Sequence, residues 1–341
     1  MRLATVTLAR DEADIIERFV RHNLHFVDRL YVVDDGSTDA TPDILRLLAA
    51  EGVPLVVVSD GVHGAYHQGV RTTALMHRAM ADEAFDFILP LDADEFIALP
   101  DRAALEAELA SLPAGAVGAF SMTHYIPQPQ DDLTETDPLA RLTYVLDIPR
   151  QVNKVVVPRS LAAHPETLIS DGNHGVSHWH KDVAPVLLPN ADLAHFPVRS
   201  TDQLVAKCLA SYVRWRARPD YQATTAIRHM DGARLLAAEP ALAVSDPAAL
   251  LAAYIPESVG PLRRQPFTDR RGALRYPHLA QAFPYRRIMS ALDTLVETGR
   301  AGARELEVAR RTLEKRNAPF REALAARLRK LKRSFMKRMP G

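Results

Sequence analysis

Two carboxylates separated by one residue follow an apolar run in this chain: Asp92 and Asp94 come after Leu89-Pro90-Leu91. Side chains along a strand alternate between its faces, so a strand through this run would point both carboxylates the same way. Two oxygen ligands on one side suit a hard divalent cation such as Mg²⁺ or Mn²⁺, which keeps other positions for water and a substrate phosphate. The alternative is a polar strand end that faces water.

A second acidic group follows an earlier apolar segment. The loop Asp34-Asp35-Gly36-Ser37-Thr38-Asp39 holds three carboxylates and two hydroxyls directly after residues 30–33. Carboxylate and backbone groups at the end of a buried strand can hydrogen-bond the hydroxyls of a ribose and the edge of a base. The same residue types also form ordinary capped turns. This loop alone therefore leaves a nucleoside site and a simple turn both open.

Strands and helices alternate over the first hundred residues, and this alternation decides where the acidic groups lie. Pro42 near the start of one helix and Gly52 after its end are typical helix boundaries. Alternating elements predict an α/β fold with a mostly parallel sheet flanked by helices, and ligands of such sheets bind beyond the carboxyl ends of the strands. The predicted strands are 3–8, 30–33, 54–58 and 85–91, and the predicted helices are 11–26, 41–50 and 71–82.

The pattern loosens after Leu99. From residue 201 the sequence is mainly helical, with prolines between the helical stretches. We therefore predict an α/β domain over 1–200, a helical extension over 201–317 that packs on it, and a C-terminal helix over 318–341. Between residues 100 and 200 the pattern predicts a helix at 102–111, strands at 115–125, 142–145 and 154–157, and loops up to His195.

Composition narrows the class of protein. The chain has 341 residues, of which 47% are apolar, and this is enough for a sizeable core. A single cysteine, Cys208, excludes an intramolecular disulfide framework and fits a reducing compartment. No apolar run approaches the roughly 18 residues of a membrane-spanning helix.

The charge is unevenly distributed along the chain. The net charge is zero, but after residue 320 there are eight Lys or Arg and one Glu, with leucines at helical spacing. A basic amphipathic helix of this kind either binds an anionic membrane surface or docks on the rest of the protein. The charge pattern is compatible with both, so both interpretations stay open. Because no aromatic residues are interleaved with the cations, nucleic-acid binding is not expected.

Three motifs in this order resemble glycosyltransferase family 2. They are Arg10-Asp11-Glu12-Ala13-Asp14, the run from Val32 to Thr41, and Leu91-Asp92-Ala93-Asp94-Glu95-Phe96. More narrowly, they resemble the branch of that family with a short Asp-Ala-Asp-Glu-Phe signature. The resemblance implies a GT-A fold for the first part of the chain, a Rossmann-like sheet that binds a nucleotide-diphospho-sugar.

The resemblance also implies roles for individual residues. Asp92 would approach the ribose or the metal, and Asp94 would be the principal ligand of a divalent cation, Mn²⁺ or Mg²⁺, on the diphosphate. Many relatives have Asn where this chain has Asp11, which cannot donate an amide hydrogen bond, so the identity of the base stays open. The implied nucleotide-binding set is Asp11, Glu12, Asp34, Asp35, Asp39, Arg71 and Asp92.

Further residues are candidates for the rest of the site. Inversion at a sugar needs a general base near the acceptor hydroxyl, and the candidates are Asp171, beside two glycines, and Asp137, in an acidic loop. His174 or His195 would complete the metal shell, with ordinary loop histidines as the alternative. The candidate phosphate contacts are Lys154, Arg199 and Lys207, with surface cations as the alternative.

These features predict a metal-dependent, inverting glycosyltransferase of the hexosyltransferase type, with a glycan, lipid-linked or cell-envelope acceptor. An inactive nucleotide- or glycan-binding module and a nucleotidyltransferase stay open as alternatives. The intact Asp92 and Asp94 pair argues against the first, and the lack of a Gly-rich phosphate loop after the first strand argues against the second. We expect a cytoplasmic protein, with peripheral contact to the inner face of the membrane through the basic tail as an open alternative.

Overall fold

The computed structural model describes residues 1–58, 68–150, 153–217, 227–239, 247–270, 272–280, 286–308 and 311–312. Met1–Leu292 form one compact unit and Asp293–Gly341 a second. In the second unit, residues 293–308 are helical. The predicted helix over 318–341 lies outside the described residues, and the predicted domain boundaries at 200 and 317 stay predictions.

An eight-stranded sheet forms the centre of the first unit. Its order is β3-β2-β1-β4-β8-β6-β12-β5, where β1 is Leu3–Ala9, β2 Arg29–Asp34, β3 Leu55–Val58, β4 Phe87–Pro90, β5 Glu95–Ile97, β6 Gly118–His124, β8 Lys154–Pro158 and β12 Val186–His195. The first four strands in this order are parallel, and so is the pair of β6 and β12. β8 runs antiparallel to both neighbours, and β5 runs antiparallel to β12. The predicted α/β fold with a mostly parallel sheet is confirmed.

Helices cover both faces of this sheet. Those of the first unit's α/β part are α1 Ile16–Asn23, α2 Thr41–Ala50, α3 Gln68–Asp82, α4 Arg102–Ala110, α5 Pro138–Arg141 and α6 Arg159–Ala162. One apolar cluster contains Phe19 of α1, Leu45 of α2 and Leu105 of α4, and the cluster on the other face contains Met76 of α3 and Ala162 of α6. Because helices cover both faces of the sheet, every residue of the central strand β1 except Leu8 is buried.

Local signals fix the helix ends. Gly52 follows α2 with a φ of 80°, a left-handed conformation that glycine adopts without steric cost, and its N–H donates to the carbonyl of Ala49 at 3.1 Å. Asp101 caps α4 by accepting the N–H of Ala104 at 2.9 Å. These boundaries agree with the sequence prediction.

The C-terminal part of the first unit is mainly helical, as predicted. It contains α7 Thr201–Arg216, α8 Ile227–Ala238 and α9 Pro247–Tyr254. A third apolar cluster joins these helices, through residues such as Leu204 and Leu250, to Ile126 and Leu146 beside the sheet. None of the helices in the described part of the chain is long and apolar enough to cross a membrane.

Two predictions about elements are wrong. The stretch before His195 is not loop-rich: it contains the ten-residue strand β12 and a small sheet of β9 Thr167–Ile169, β10 Val176–His178 and β11 Lys181–Val183. Pro189 interrupts the strand pattern of β12 in the sequence. It lies where the pairing of β12 with β6 shifts register, and a strand tolerates a residue without an N–H at such an irregularity. The first helix begins at Ile16 rather than at residue 11, because Asp11 has a φ of 52°.

A late segment of the chain packs against α1. It begins with β13 Leu262–Arg264, which pairs with β7 Tyr144–Leu146. Phe267 packs on His22 with ring centroids 5.1 Å apart, and the N–H groups of Arg275 and Tyr276 donate to the carboxylate of Glu17 at 2.7 and 2.9 Å. We call residues 262–280, of which 271 is not described, the strap.

His22 is locked in one neutral form by this packing. Its Nδ1 accepts the N–H of Arg270 at 2.9 Å, so the proton lies on Nε2, which donates to the carbonyl of Ile97 at 2.9 Å. The ring is 1% exposed, and burial lowers the pKa of His22 to about 4. Because the unfolded chain binds a proton near pH 6.5 and the folded chain does not, stability is lost as the pH falls from 6.5 towards 4.

Replacing His22 with Gln should remove this pH dependence, since the amide offers a donor and an acceptor without titrating. Between pH 7 and 5, we expect the free energy of unfolding of the wild type to fall by about 2 kcal/mol more than that of His22→Gln. Urea denaturation at the two pH values measures the difference. The exposed His25→Gln is the control and should behave as the wild type does, and equal pH dependence in all three proteins would contradict the assignment.

Candidate functional site

A cavity of about 770 Å³ lies where the carboxyl ends of the parallel strands meet. Ala9 at the end of β1, His124 at the end of β6 and His195 at the end of β12 line it. The antiparallel strand β8 begins at the same edge, so its first residue, Lys154, also lines the cavity. Of the residues predicted from sequence, the cavity is lined by Glu12, Asp35, Asp92, Asp94, Lys154, Asp171, His174, His195 and Lys207.

Asp35 forms one wall of the cavity and is surrounded by arginines. Its carboxylate contacts the guanidinium groups of Arg71 and Arg214, and Nη1 of Arg10 lies 3.7 Å from its Oδ2. Burial opposes ionisation, but these three cations hold the pKa of Asp35 below its usual value. Asp35 is therefore an ionised acceptor whose oxygens already have donors, and Arg10 and Arg214 present positive charge to the cavity.

Asp11, Asp34 and Asp39 shape the acidic loop rather than line the cavity. Oδ1 of Asp11 accepts the N–H of Thr38 at 2.6 Å, and Asp39 accepts the N–H groups of Thr41 and Ala13 at 2.9 and 3.0 Å. The carboxylate of Asp34 accepts the N–H of Ser37 at 3.2 Å. These bonds tie the loop after β2 to the segment that follows β1 and so fix where Asp35 lies.

Asp92 and Asp94 face different partners, so the prediction of one pair on one strand face is wrong. β4 ends at Pro90, and both carboxylates lie in the turn before β5, where strand alternation does not apply. Oδ2 of Asp92 accepts a hydrogen bond from Nζ of Lys154 at 2.6 Å. Asp94 instead faces His195 and Lys207.

Lys154 organises the Asp92 side of this turn. Its buried ammonium also lies 2.9 Å from Oε1 of Glu95 and donates to the carbonyl of Gly172 at 2.7 Å. Although burial opposes its charge, Asp92 and Glu95 raise the pKa of Lys154 above its usual value. Lys154 therefore stays protonated and holds two carboxylates at the cavity floor.

Asp94 is the carboxylate best placed to bind a cation. Its Oδ1 lies 3.5 Å from Nε2 of His195, and its Oδ2 lies 3.4 Å from Nζ of Lys207. Burial opposes ionisation, but Lys207, His195 and Arg199 hold the pKa of Asp94 well below its usual value. An ionised oxygen and an imidazole nitrogen at this separation can both reach one divalent ion.

The candidate metal ligands therefore differ in part from the predicted set. Within the described residues, ligand atoms of Asp94, Glu95 and His195 lie within 4.8 Å of one another. His174 is not in this group: its Nδ1 donates to the carbonyl of Asn153 at 2.7 Å, and burial lowers the pKa of His174. The donor set of carboxylate oxygen and imidazole nitrogen fits a divalent metal ion such as Mn²⁺.

Arg199 lies behind the cavity wall rather than in it. Its side chain is 1% exposed and contacts Glu12 through Nη2 and Asp14 through Nε at 2.6 Å. Its Nη1 lies 3.8 Å from Oδ2 of Asp94. Although burial opposes the charge, Asp14 and Glu12 raise the pKa of Arg199. Arg199 is thus the shared counter-charge for three carboxylates from two loops, the segment after β1 and the turn before β5.

Asp171 and Asp137 occupy different surroundings. Asp171 lines the cavity, and its Oδ1 accepts the N–H of Gly69 at 2.8 Å. A Cβ on Gly69 would come within 2.5 Å of the carbonyl oxygen of Ile169, so only glycine allows this approach. Asp137 does not line the cavity: it caps α5 by accepting the N–H of Leu139 and pairs with Arg18 at 2.8 Å.

Several residues at the site were missed from sequence. Arg10 belongs to a recognised motif, but no role was predicted for it, and Arg214 and Gln68 carried no local signal. Nε2 of Gln68 donates to Oδ1 of Asp92 at 2.7 Å, and Gln68 begins α3. Residues 59–67, which precede α3, lie outside the described residues.

Comparison with known proteins finds one similarity at the level of a protein family. Residues 5–144 match the family model described as Glycosyl transferase family 2. No curated protein sequence matches the chain. The match covers the acidic loop and the Asp92–Asp94 turn but does not reach Lys154, Asp171 or His195.

Solved structures with a similar fold include three protein–ligand complexes. S. aureus TarS 1-349, in complex with UDP, has 13% identity and a TM-score of 0.36 over 89% of this chain and 92% of that one. The mannosyltransferase PcManGT from Pyrobaculum calidifontis, in complex with GDP-Man and Mn²⁺, has 14% identity and a TM-score of 0.37 over 86% and 87%. Glucosyl-3-phosphoglycerate synthase from Mycobacterium tuberculosis, in complex with Mn²⁺, UDP and glucosyl-3-phosphoglycerate, has 18% identity and a TM-score of 0.26 over 47% and 57%.

Replacing Arg199 with Leu should destabilise the fold strongly, because it leaves Glu12, Asp14 and Asp94 without their shared counter-charge. We expect a loss of about 3–5 kcal/mol in the free energy of unfolding, measured by urea denaturation. Arg46→Leu is the control, since Arg46 pairs with Asp43 on an exposed helix surface and such pairs contribute little. A loss below about 1 kcal/mol for Arg199→Leu would contradict the role of Arg199 as the shared counter-charge of these three carboxylates.

Proposed function

We propose that this chain is a metal-dependent, inverting glycosyltransferase of the hexosyltransferase type, from the family 2 branch with the Asp-Ala-Asp-Glu-Phe signature. It transfers a sugar from a nucleotide-diphospho-sugar to a glycan, lipid-linked or cell-envelope acceptor. The observation that carries the proposal is the ionised carboxylate of Asp94 beside Nε2 of His195 on the floor of a cavity at the strand ends. The family 2 match over residues 5–144 supports the class of reaction.

The nucleoside end of the donor binds at Asp35. The acidic loop, held by Asp11, Asp34 and Asp39, places Asp35 on the cavity wall at the end of β2, where parallel sheets bind nucleotides. Arg10, on the cavity wall beside Asp35, places positive charge along the path to the phosphates. Glu12 and Arg71 support this wall through Arg199 and Asp35, respectively.

The diphosphate binds at the floor of the cavity. Asp94 and His195 hold the divalent cation, Mn²⁺ or Mg²⁺, which when bound stabilises the negative charge that develops on the leaving diphosphate. Lys207 adds a second positive charge there, with its ammonium 3.4 Å from Asp94. Lys154 and Asp92 keep the turn in place from the other side. Arg199 lies behind the wall, so it acts on the phosphates only through the carboxylates that it holds.

Asp171 is the general base in this proposal. The acceptor hydroxyl oxygen forms a bond to the anomeric carbon while the bond to the diphosphate oxygen breaks and its electron pair leaves with the nucleoside diphosphate. The hydroxyl proton passes to the Asp171 carboxylate, which the N–H of Gly69 orients at the cavity wall. Asp137 has no part in this step, because its carboxylate is used by α5 and Arg18. The cytoplasmic location and the basic tail's membrane contact stay predictions.

Donor hydrolysis tests the reaction class. With Mn²⁺ and a panel of UDP-, GDP- and dTDP-sugars, we expect release of nucleoside diphosphate from at least one donor, and loss of this activity on chelation with EDTA. Asp94→Asn should lower the rate by 100-fold or more, since metal stabilisation of the leaving group is worth several kcal/mol. The exposed Asp43→Asn is the control. No turnover together with no thermal shift by any nucleoside diphosphate would rule out a nucleotide-sugar enzyme.

Asp171→Asn separates proton transfer from donor binding. The amide keeps the hydrogen bond from Gly69 but cannot accept a proton, so we expect turnover of the active donor to fall about 10²–10⁴-fold with little change in nucleoside diphosphate affinity. Gly69→Ala should have the same kinetic effect by displacing Asp171. Asp182→Asn, on the exposed strand β11, is the matched control. Full turnover by Asp171→Asn would assign the base to another residue.

A further inference from the structure

Two histidines on neighbouring strands form a hydrogen-bonded pair beside the candidate metal site. β6 and β12 are parallel, and His124 is the register partner of His195, so both side chains leave the sheet on the same face. Their Nδ1 atoms are 2.9 Å apart, with ring centroids 5.1 Å apart and an angle of 63° between the ring planes. Both rings line the cavity.

This contact restricts the proton positions of both rings. Two imidazole nitrogens at hydrogen-bond distance need one donor and one acceptor, so only one Nδ1 carries a proton. A nitrogen that binds a metal ion carries none, and Nε2 is the nitrogen of His195 that faces Asp94. His195 in that form has its proton on Nδ1 and donates it to Nδ1 of His124, whose own proton then lies on Nε2.

We propose that His124 is a positioning residue for the metal site: it fixes the tautomer and the ring orientation of His195 by accepting its Nδ1–H. The inference rests on the proposed function, because it takes His195 as a metal ligand. Ligand histidines are usually held through their second nitrogen by a carboxylate or a carbonyl. In this chain a second imidazole does so.

The surroundings assign His124 this role rather than that of a ligand. Its Nδ1 is turned to His195, and it is not among the described residues whose ligand atoms cluster within 4.8 Å. Tyr125, the next residue, donates its N–H to the carbonyl of His195 at 2.8 Å, so main-chain pairing also holds the two strand ends together. A shift of His124 would therefore turn the His195 ring without separating the strands.

Metal affinity measures this role directly, without turnover. Mn²⁺ binding is followed by electron paramagnetic resonance, alone and with UDP or GDP present, for wild type and variants. His124→Leu should weaken Mn²⁺ binding about 10–100-fold, the usual effect of losing such a partner. His124→Asn keeps an acceptor oxygen close to the position of Nδ1 and should bind Mn²⁺ within about threefold of wild type. His164→Leu, at a histidine outside the cavity, is the control.

The outcomes separate this inference from the proposed function. If Asp94→Asn and His195→Ala lose Mn²⁺ while His124→Leu binds it as wild type does, the positioning role is overturned and the metal site stands. If wild type binds no Mn²⁺ under any of these conditions, the metal site fails and the inference fails with it. ¹⁵N NMR of the wild-type histidines with diamagnetic Mg²⁺ bound needs no variant: a proton on Nε2 of His195 in the Mg²⁺-bound protein would overturn the assignment, and a proton on Nδ1 supports it.

Discussion

Buried carboxylates beside the cavity are stabilised by cations from distant parts of the chain, and the rest of the site depends on this compensation. A carboxylate removed from water is costly unless a cation lies within a few ångströms. Arg199 contacts Glu12, and Lys154 contacts Glu95. Both cations come from the second half of the α/β part, whereas the acidic loops come from the first hundred residues. The geometry of the acidic loops therefore depends on these later residues as much as on the hydrogen bonds within the loops.

The fold was predictable where the signal was local. Strands β1–β4 and helices α2–α4 follow from apolar periodicity, and Pro42 and Gly52 mark the ends of α2; each of these signals acts within a few residues. The neighbouring apolar runs also predicted that Asp35 and Asp94 lie near strand ends, and both residues line the cavity in the structure. Asp35 comes directly after β2, and Asp94 lies in the short turn between β4 and β5, so the position of each follows from its neighbours in sequence.

The rest depended on tertiary contacts that leave no local pattern. β12 was missed because Pro189 breaks its alternation, and only the register shift against β6 shows how it is accommodated. Arg214 belongs to an ordinary helical stretch, and its contact with Asp35 spans 179 positions in sequence. The direction of Asp92 was mispredicted because β4 ends at Pro90 and Asp92 lies in the turn that follows, where strand alternation does not apply. Side-chain partners of this kind follow from the assembled fold.

The strap has a consequence for how this protein can be divided. Phe267 packs on Phe96, which follows the Asp92–Asp94 turn, and Tyr276 donates through its hydroxyl to Glu51 at 2.6 Å. A fragment that stopped at residue 200 would keep every acidic motif. It would nevertheless lose Lys207, Arg214 and the strap, and would expose the aromatic face under the turn to water. The shortest fragment that keeps the site intact must therefore include the residues that contact the acidic loops from later in the chain. The positions of the motifs alone are a poor guide to the limits of an expression fragment.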